Sequence, residues 1–431
     1  MEVKYFQPAI ETAARATLIQ LQLARMQTQL RELLATNAFY QKKLRAAGFT
    51  DAREFKSLDD LARLPFTRKQ ELVDDQAAHP PFGSNLTYAL DHYIRHHQTS
   101  GTTGKPLRWL DTRASWDWWK RCWAAVYRAA SVDETDRIFF AFSFGPFIGF
   151  WSAWAGAEEI GALCISGGAQ DSLARLKNIL ELGATVICCT PSYALHLAEV
   201  AQKENLDLRA SAVKKIIVAG EPGGSIPGTQ TRMQDAWNAT VFDHTGATEI
   251  GAHGFTCLAQ RGVHLNEGEF IIEVIDPVTG KNADEGELVI TNLGRIGSPN
   301  LRYRTGDQVK LNRAPCECGR TFARMEGGII GRIDAMLIVR GVNIFPSALE
   351  AIVRAYPEVQ EFAVEIFRAN ELDELELKIE IAAPNAEMIA DKIARDAHQR
   401  LGLRVLVRIA PNGSLPRFEL KARRVNDRRK M

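Results

Sequence analysis

Apolar residues recur near helical spacing early in the chain. Leu18, Leu21, Leu23, Met26, Leu30 and Leu33 predict an amphipathic helix within residues 9–47. Farther on, short apolar runs alternate with helical patterns. "RIFFAFSF" (137–144), "ATVICCT" (184–190) and "VKKIIVAG" (213–220) read as buried strands. That alternation predicts an α/β fold, a large N-terminal part with mainly parallel sheets flanked by helices. Near Asp276 the texture changes. "EFIIEVIDPVTGKNADEGELVITNL" reads as strand, turn, strand, and predicts a small β subdomain. Beyond residue 331 the pattern is strand, helix, strand, with "DELELKIEIAA" and "LRVLVRIA" as two more strands. The last hundred or so residues therefore read as a separate α+β domain.

Composition narrows the class. With 431 residues the chain can bury more than one core. Its 53 basic and 52 acidic residues give no electrostatic case for nucleic acid as a partner. No apolar run approaches the roughly 20 residues that span a bilayer, and the N-terminus lacks a signal-peptide pattern. A cytoplasmic protein that does not use the membrane is expected. Seven cysteines are too few and too odd in number for a disulfide framework.

One stretch carries chemistry on its face. "TSGTTGKP" packs Thr99, Ser100, Gly101, Thr102, Thr103, Gly104 and Lys105 ahead of Pro106, between two β-like segments. Glycines permit close backbone approach. Successive N–H groups, hydroxyls and one lysine together suit a polyphosphate. The spacing is not that of a Walker A loop, which needs GxxxxGK[ST] running into a helix. A plain Ser/Thr/Gly turn is the competing reading.

Other stretches decide between them. "SGTTGKP" resembles the phosphate-binding loop of the adenylate-forming superfamily of acyl-CoA synthetases, adenylation domains and luciferases. In the same order, "AGEP" (219–222) resembles its adenine-pocket segment and "TGATE" (245–249) its Thr-Glu motif. "YRTGD" (303–307) resembles its ribose-binding motif, and "GRIDAMLIVRGVNIFP" (331–346) its hinge and following loop. "LPRFELKARRV" (415–425) resembles its lysine-bearing terminal segment. Length and "FYQKKLRAAG" resemble the phenylacetate–CoA ligase-like branch of aryl-CoA ligases.

The resemblance implies a two-step reaction. A carboxylate attacks the α-phosphate of ATP to give acyl-AMP and pyrophosphate; coenzyme A then takes the acyl group. A carboxylate is already a nucleophile, so the first step needs alignment and charge neutralisation rather than a base. Residues 99–105 would hold the phosphates. Glu249 would hold Mg²⁺, and Thr248 would donate to the α-phosphate. Lys421 would bridge carboxylate and phosphate. Gly220, Glu221, Pro222, Asp243, Thr245, Gly246 and Arg332 would surround adenine and ribose, and Asp307 would accept both ribose hydroxyls. Phe142, Phe147, Ala219 and His253 would line the pocket for an aromatic acid. Asp334 would be the hinge, within residues 332–335, between an N-terminal domain (1–331) and a mobile lid (336–431). Arg340 and Gly341 would face CoA. Thr245 departs from the family, which usually has an aromatic residue there to stack on adenine. Phenylacetate-using relatives have proline where this chain has His253.

Cys257, His264, Cys316 and Cys318 form a second candidate site. Three thiols and an imidazole suit a structural Zn²⁺ with no open position. Three unrelated thiols and a surface histidine are the plain alternative. Two functional alternatives also stay open: an adenylating enzyme that activates a cofactor or loads a carrier protein without CoA, and a non-catalytic nucleotide binder. A homodimer is compatible with either enzyme.

Overall fold

The computed structural model describes residues 1–99, 106–340, 342–369, 372–418 and 422–430, with Asp334, Asn343 and Lys430 described by backbone alone. After a single helical turn at Pro8–Glu11 come α1 (Arg15–Thr36) and α2 (Ala38–Ala46). Strands β1 (Tyr93–Gln98) and β2 (Arg108–Thr112) precede α3 (Arg113–Ala129), β3 (Arg137–Phe140), α4 (Ile148–Glu159) and β4 (Leu163–Ser166). Next come α5 (Ser172–Glu181), β5 (Val186–Cys189), α6 (Pro191–Lys203), β6 (Lys215–Val218), α7 (Pro227–Trp237) and β7 (Thr240–Ala247). A run of strands follows: β8 (Gly251–Thr256), β9 (Val263–Leu265), β10 (Phe270–Ile275), β11 (Glu285–Asn292) and β12 (Tyr303–Asn312). The C-terminal domain holds β13 (Leu337–Val339), β14 (Val342–Ile344), α8 (Pro346–Arg354), β15 (Val359–Ala369), β16 (Leu372–Ile381), α9 (Ala386–Leu401), β17 (Leu406–Ala410) and β18 (Val425–Asp427).

Two compact bodies result. The first comprises Met1–Gln170, Ala184–Ile187 and His244–Gly328. Within it β1 and β2 pair antiparallel, with Gln98 opposite Arg108. Strands β3 and β4 pair parallel. The β10–β11–β12 ladder is antiparallel, as the strand–turn–strand texture predicted. Met26, Leu30, Leu33, Tyr40 and Leu44 bury the apolar face of α1 and α2 against Phe49, Phe55 and Leu301. Each such side chain contributes about 1.5–3 kcal/mol.

The second body comprises Asp171–Gly183, Cys188–Asp243 and Ile329–Met431. Here β6 and β7 pair parallel. The long β15–β16 hairpin is antiparallel, and β17 and β18 add parallel on either side of it. Leu375, Leu377, Ile379, Ile389 and Ile393 are among the side chains of its core.

The expected helix over 9–47 is three helices, the short Pro8–Glu11 and then α1 and α2. Asn37 interrupts it because its side chain has better partners than a helix offers. Its Oδ1 accepts from the Tyr40 amide at 3.0 Å, and its Nδ2 donates to Asn85 and Thr87 at 3.1 Å. The first predicted buried strand also stops early, at Phe140 rather than Phe144. Residues beyond it leave the ladder before Gly145 and Pro146, and the Pro146 carbonyl accepts from Gln98 instead.

Candidate active site

The first body gathers the phosphate, metal and ribose candidates. Residues 100–105 lie outside the described residues, but their flanks are closed. The Thr99 amide donates to the Leu107 carbonyl at 2.9 Å, and the Leu107 amide donates to Thr99 Oγ1 at 3.0 Å. Thr248 and Glu249 sit in the turn between β7 and β8. Glu249 is buried, and its Oε1 lies 3.5 Å from Lys69 Nζ. Asp307 is buried on β12, its amide donating to Thr305 Oγ1 at 3.0 Å. Gly306 needs its freedom: its φ is 74°, and its amide donates to Glu287 Oε1 where the β11–β12 register shifts.

Thr245 is buried on β7, opposite Gly254 of β8. Its Oγ1 has no hydrogen-bond partner in the structure. A side chain on Gly254 would collide with that oxygen. His244, one residue earlier, meets Trp123 at a tilt with ring centroids 4.2 Å apart, and its Nδ1 donates to the Gly254 carbonyl at 2.7 Å. His253 is buried on β8 with Phe270 as its ring neighbour, while Phe142 stacks on Phe150 at 4.3 Å and Phe147 meets Phe150 edge-on. The Gly251 carbonyl lies 3.3 Å from His253 Nδ1. A carbonyl can only accept, so the proton sits on Nδ1 and Nε2 is left as an acceptor. That Nε2 is buried without a partner. Burial pushes the His253 ring down to about 4 and the His244 ring down to about 3, so both are neutral near pH 7.

The four zinc candidates converge. One donor atom from each of Cys257, His264, Cys316 and Cys318 lies within 4.8 Å of all the others. The sulfurs of Cys257 and Cys316 are 3.8 Å apart, and Cys318 Sγ is 3.4 Å from His264 Nε2. A tetrahedral ion with Zn–S near 2.3 Å requires sulfurs about 3.8 Å apart. The Phe322 carbonyl accepts from His264 Nδ1 at 3.2 Å, which leaves the Nε2 lone pair facing the thiols. The donor set fits zinc in chemistry and spacing.

The second body holds the rest. Gly220 has a φ of 94°, and the Ala219 amide donates to the Cys189 carbonyl. Asp243 Oδ2 accepts from Ser225, and Gly224 lies so close to that carboxylate that a Cβ would meet it at 2.5 Å. Glu221 is occupied by protein. Its Oε1 accepts from the Ser192 amide and hydroxyl, and its Oε2 accepts from the Ala422 amide at 2.7 Å. Pro222 follows on the same turn and is exposed. Arg332 is exposed next to the 3-10 turn that contains Asp334. Arg340, at a φ of 51°, pairs with Glu374 and donates to the Asp373 carbonyl. Gly341 and Lys421 lie outside the described residues; Ala422 places the residue after Lys421 at the "AGEP" carboxylate.

Several contacts escaped sequence reasoning: Lys69 beside Glu249, Ala422 on Glu221, and Arg295 on Asp111. Their partners are remote in sequence, and no local pattern marks them. Only the position of "GRIGSPN" just before "YRTGD" offered a signal for Arg295.

A phosphate-loop hairpin, a buried Glu249, a buried Asp307 and a C-terminal domain define a nucleotide-dependent activating enzyme. The family described as AMP-binding enzyme matches residues 20–294, and its C-terminal domain matches 341–429. The chain belongs to the AMP-binding enzyme family and is an AMP-forming ligase. It is 34% identical to a phenylacetate–coenzyme A ligase of Thermus thermophilus, over 99% of this chain and 100% of that protein. A phenylacetate–coenzyme A ligase of Escherichia coli is 32% identical over 97% of each. Among solved structures, 2-hydroxyisobutyryl-CoA ligase in its postadenylation state superposes with a TM-score of 0.93 at 30% identity, covering 99% of this chain and 93% of that one. The same ligase in its thioesterification state gives 0.75 at 32% identity, with the same coverage.

Proposed function

We propose that the chain activates an aromatic carboxylic acid bearing a hydrogen-bond donor and passes it to coenzyme A. ATP-dependent acyl-adenylate formation and thioester transfer are the chemistry of its relatives. The donor-bearing acid rests on one observation: His253 Nε2 is a buried acceptor with no donor. A plain phenyl ring leaves it unsatisfied, at about 1–3 kcal/mol. A ring hydroxyl or amino group would satisfy it. The likeness to a 2-hydroxyisobutyryl-CoA ligase favours a second reading, a small hydroxy acid, in which the same Nε2 accepts from an aliphatic hydroxyl.

In this reading Thr248 donates to the α-phosphate, Asp307 accepts the ribose hydroxyls, and the 99–105 loop holds the outer phosphates. Asp243, Gly246, Arg332 and the 219–222 turn surround the nucleoside. Glu249 would hold Mg²⁺, which neutralises phosphate charge when bound. Lys421 approaches carboxylate and phosphate for the first step, with Ala422 anchored on Glu221. Arg340 and Gly341 serve the CoA step. The domain beginning beyond residues 332–335 turns between the two steps, with Asp334 as hinge. Support comes from the relative ligase being described in both a postadenylation and a thioesterification state. Cys257, His264, Cys316 and Cys318 hold structural zinc.

The test is acid-dependent pyrophosphate release across phenylacetate, 4-hydroxyphenylacetate, 2-aminobenzoate and 2-hydroxyisobutyrate, with and without CoA. Donor-bearing acids are expected to exceed phenylacetate in kcat/KM. Phenylacetate as the best substrate would contradict the role of His253.

A further inference from the structure

The turn carrying Thr248 and Glu249 is held in an unusual way. It lies in the first body with Glu249 and Ile250 buried and Thr248 half-buried, and protein donors serve its carbonyls. Three successive carbonyls each receive a different buried side chain. Arg295 Nη1 donates to the Thr248 carbonyl at 2.5 Å, Asn300 Nδ2 to that of Glu249 at 2.6 Å, and Asn292 Nδ2 to that of Ile250 at 3.0 Å. Arg295, Asn292 and Asn300 are all fully buried. The two asparagines brace each other, since Asn292 Oδ1 accepts from the Asn300 amide at 3.1 Å and the Asn300 carbonyl accepts from the Asn292 amide.

Arg295 reaches a second element as well. Its Nε and Nη2 grip both oxygens of Asp111 at 2.7 Å, and both side chains are completely excluded from solvent. Asp111 lies on β2, the strand that leaves the phosphate-loop hairpin. The guanidinium sits over the rings of Trp109 and Trp119 at 5.0 and 5.3 Å, which blocks other rotamers. Burial works against the charge on Asp111, yet Arg295 and His97 hold its carboxyl below the usual range. A buried pair that loses one partner is strongly destabilised, so the link is stiff. One side chain therefore sets the position of the Thr-Glu turn relative to the strand beside the loop.

We propose that Arg295, Asn292 and Asn300 are positioning residues that aim the Thr248–Glu249 turn at magnesium-bound phosphates in register with the phosphate-loop hairpin. The inference rests on the reading of Glu249 as the magnesium carboxylate. It concerns geometry more than mere folding, because each donor addresses the main chain of a residue with a chemical task or its immediate neighbour. Misplacement by about 1 Å is enough to cost a hundredfold in such sites.

The test needs no knowledge of the acid. ATP affinity of the full-length protein is measured by titration calorimetry with Mg²⁺ and with EDTA, and the ratio of the two Kd values reports how much the metal helps. Wild type, Glu249→Gln, Asn300→Leu and Arg295→Lys are compared, with Asn300→Ser as a smaller change should Asn300→Leu or Arg295→Lys fail to fold. The expected result is that Glu249→Gln collapses the ratio. Asn300→Leu and Arg295→Lys should cut it at least threefold, with the metal-free Kd within twofold of wild type. An unchanged ratio in both positioning variants, with Glu249→Gln collapsed, overturns the proposal while sparing Glu249. A parallel rise of both Kd values overturns it in favour of a structural role. A ratio that survives Glu249→Gln removes the magnesium reading and this inference with it.

Discussion

His253 is the residue on which the proposed choice of acid turns. The imidazole is neutral, its tautomer is set by the Gly251 carbonyl, and its Nε2 lone pair is buried without a donor. If the acid supplies that donor, His253→Ala narrows the preference for 4-hydroxyphenylacetate over phenylacetate. The change in the kcat/KM ratio should be about tenfold for each 1.4 kcal/mol lost. An unchanged ratio means His253 does not read the acid. The same burial has a pH consequence. His253 titrates near 6.5 when unfolded and near 4 when folded, so between these values the unfolded chain binds more protons. Stability is complete above the unfolded pKa and falls as pH drops from about 6.5 toward 4, with His244 adding the same sign. Thermal midpoints from pH 7.5 to 5 should decline less steeply in His253→Gln than in wild type. Parallel curves would mean the ring is not buried neutral.

Among elements, Cys257 after β8 and His264 on β9 meet Cys316 and Cys318 of the segment after β12, beside an Arg261–Glu317 ion pair and an Arg324 donation to the Arg261 carbonyl. Zinc there would brace β8, which follows the Glu249 turn, and the segment after β12, the strand that carries Asp307. Protein purified without added zinc should carry about one equivalent per chain, and Cys316→Ser should lose it together with several degrees of Tm. A metal-free wild type with unchanged Tm in Cys316→Ser would refute this. These four residues were readable from the chain because thiol and imidazole chemistry is distinctive wherever it falls. "YRTGD" was readable by its resemblance to a family motif, and the structure adds that its Gly306 sits at a φ of 74°. The break at Asn37 was not readable, since it depends on Asn85 and Thr87, far along the chain. Nor was the grip of Arg295 on Asp111, 184 residues away, because an arginine among Gly, Ser and Pro looks like any turn. Long-range donors to main-chain carbonyls leave no period and no motif.

At the scale of the whole molecule, the α/β architecture, the β subdomain and the separate C-terminal domain follow from alternation of apolar runs that the chain displays openly. The assignment of tasks to its parts is a claim about chemistry. In the proposed division of labour Lys421 serves adenylate formation, and Glu221, which accepts from the amide of Ala422, 201 residues away, would assist it. Lys421→Ala should therefore block acyl-adenylate formation yet leave thioester formation from supplied acyl-adenylate nearly intact. Glu221→Ala should weaken the first step in the same direction, by roughly tenfold for one charge-assisted hydrogen bond. Equal losses in both steps would contradict the division of labour. No helix among the described residues is long and apolar enough to cross a membrane. The most direct measurement follows the products of ATP with 4-hydroxyphenylacetate, Mg²⁺ and CoA. Acid-dependent pyrophosphate and AMP in equal amounts, with one thioester per AMP and acyl-adenylate accumulating when CoA is withheld, is the predicted result. ADP and phosphate as products, or turnover indifferent to acid and CoA, would contradict it.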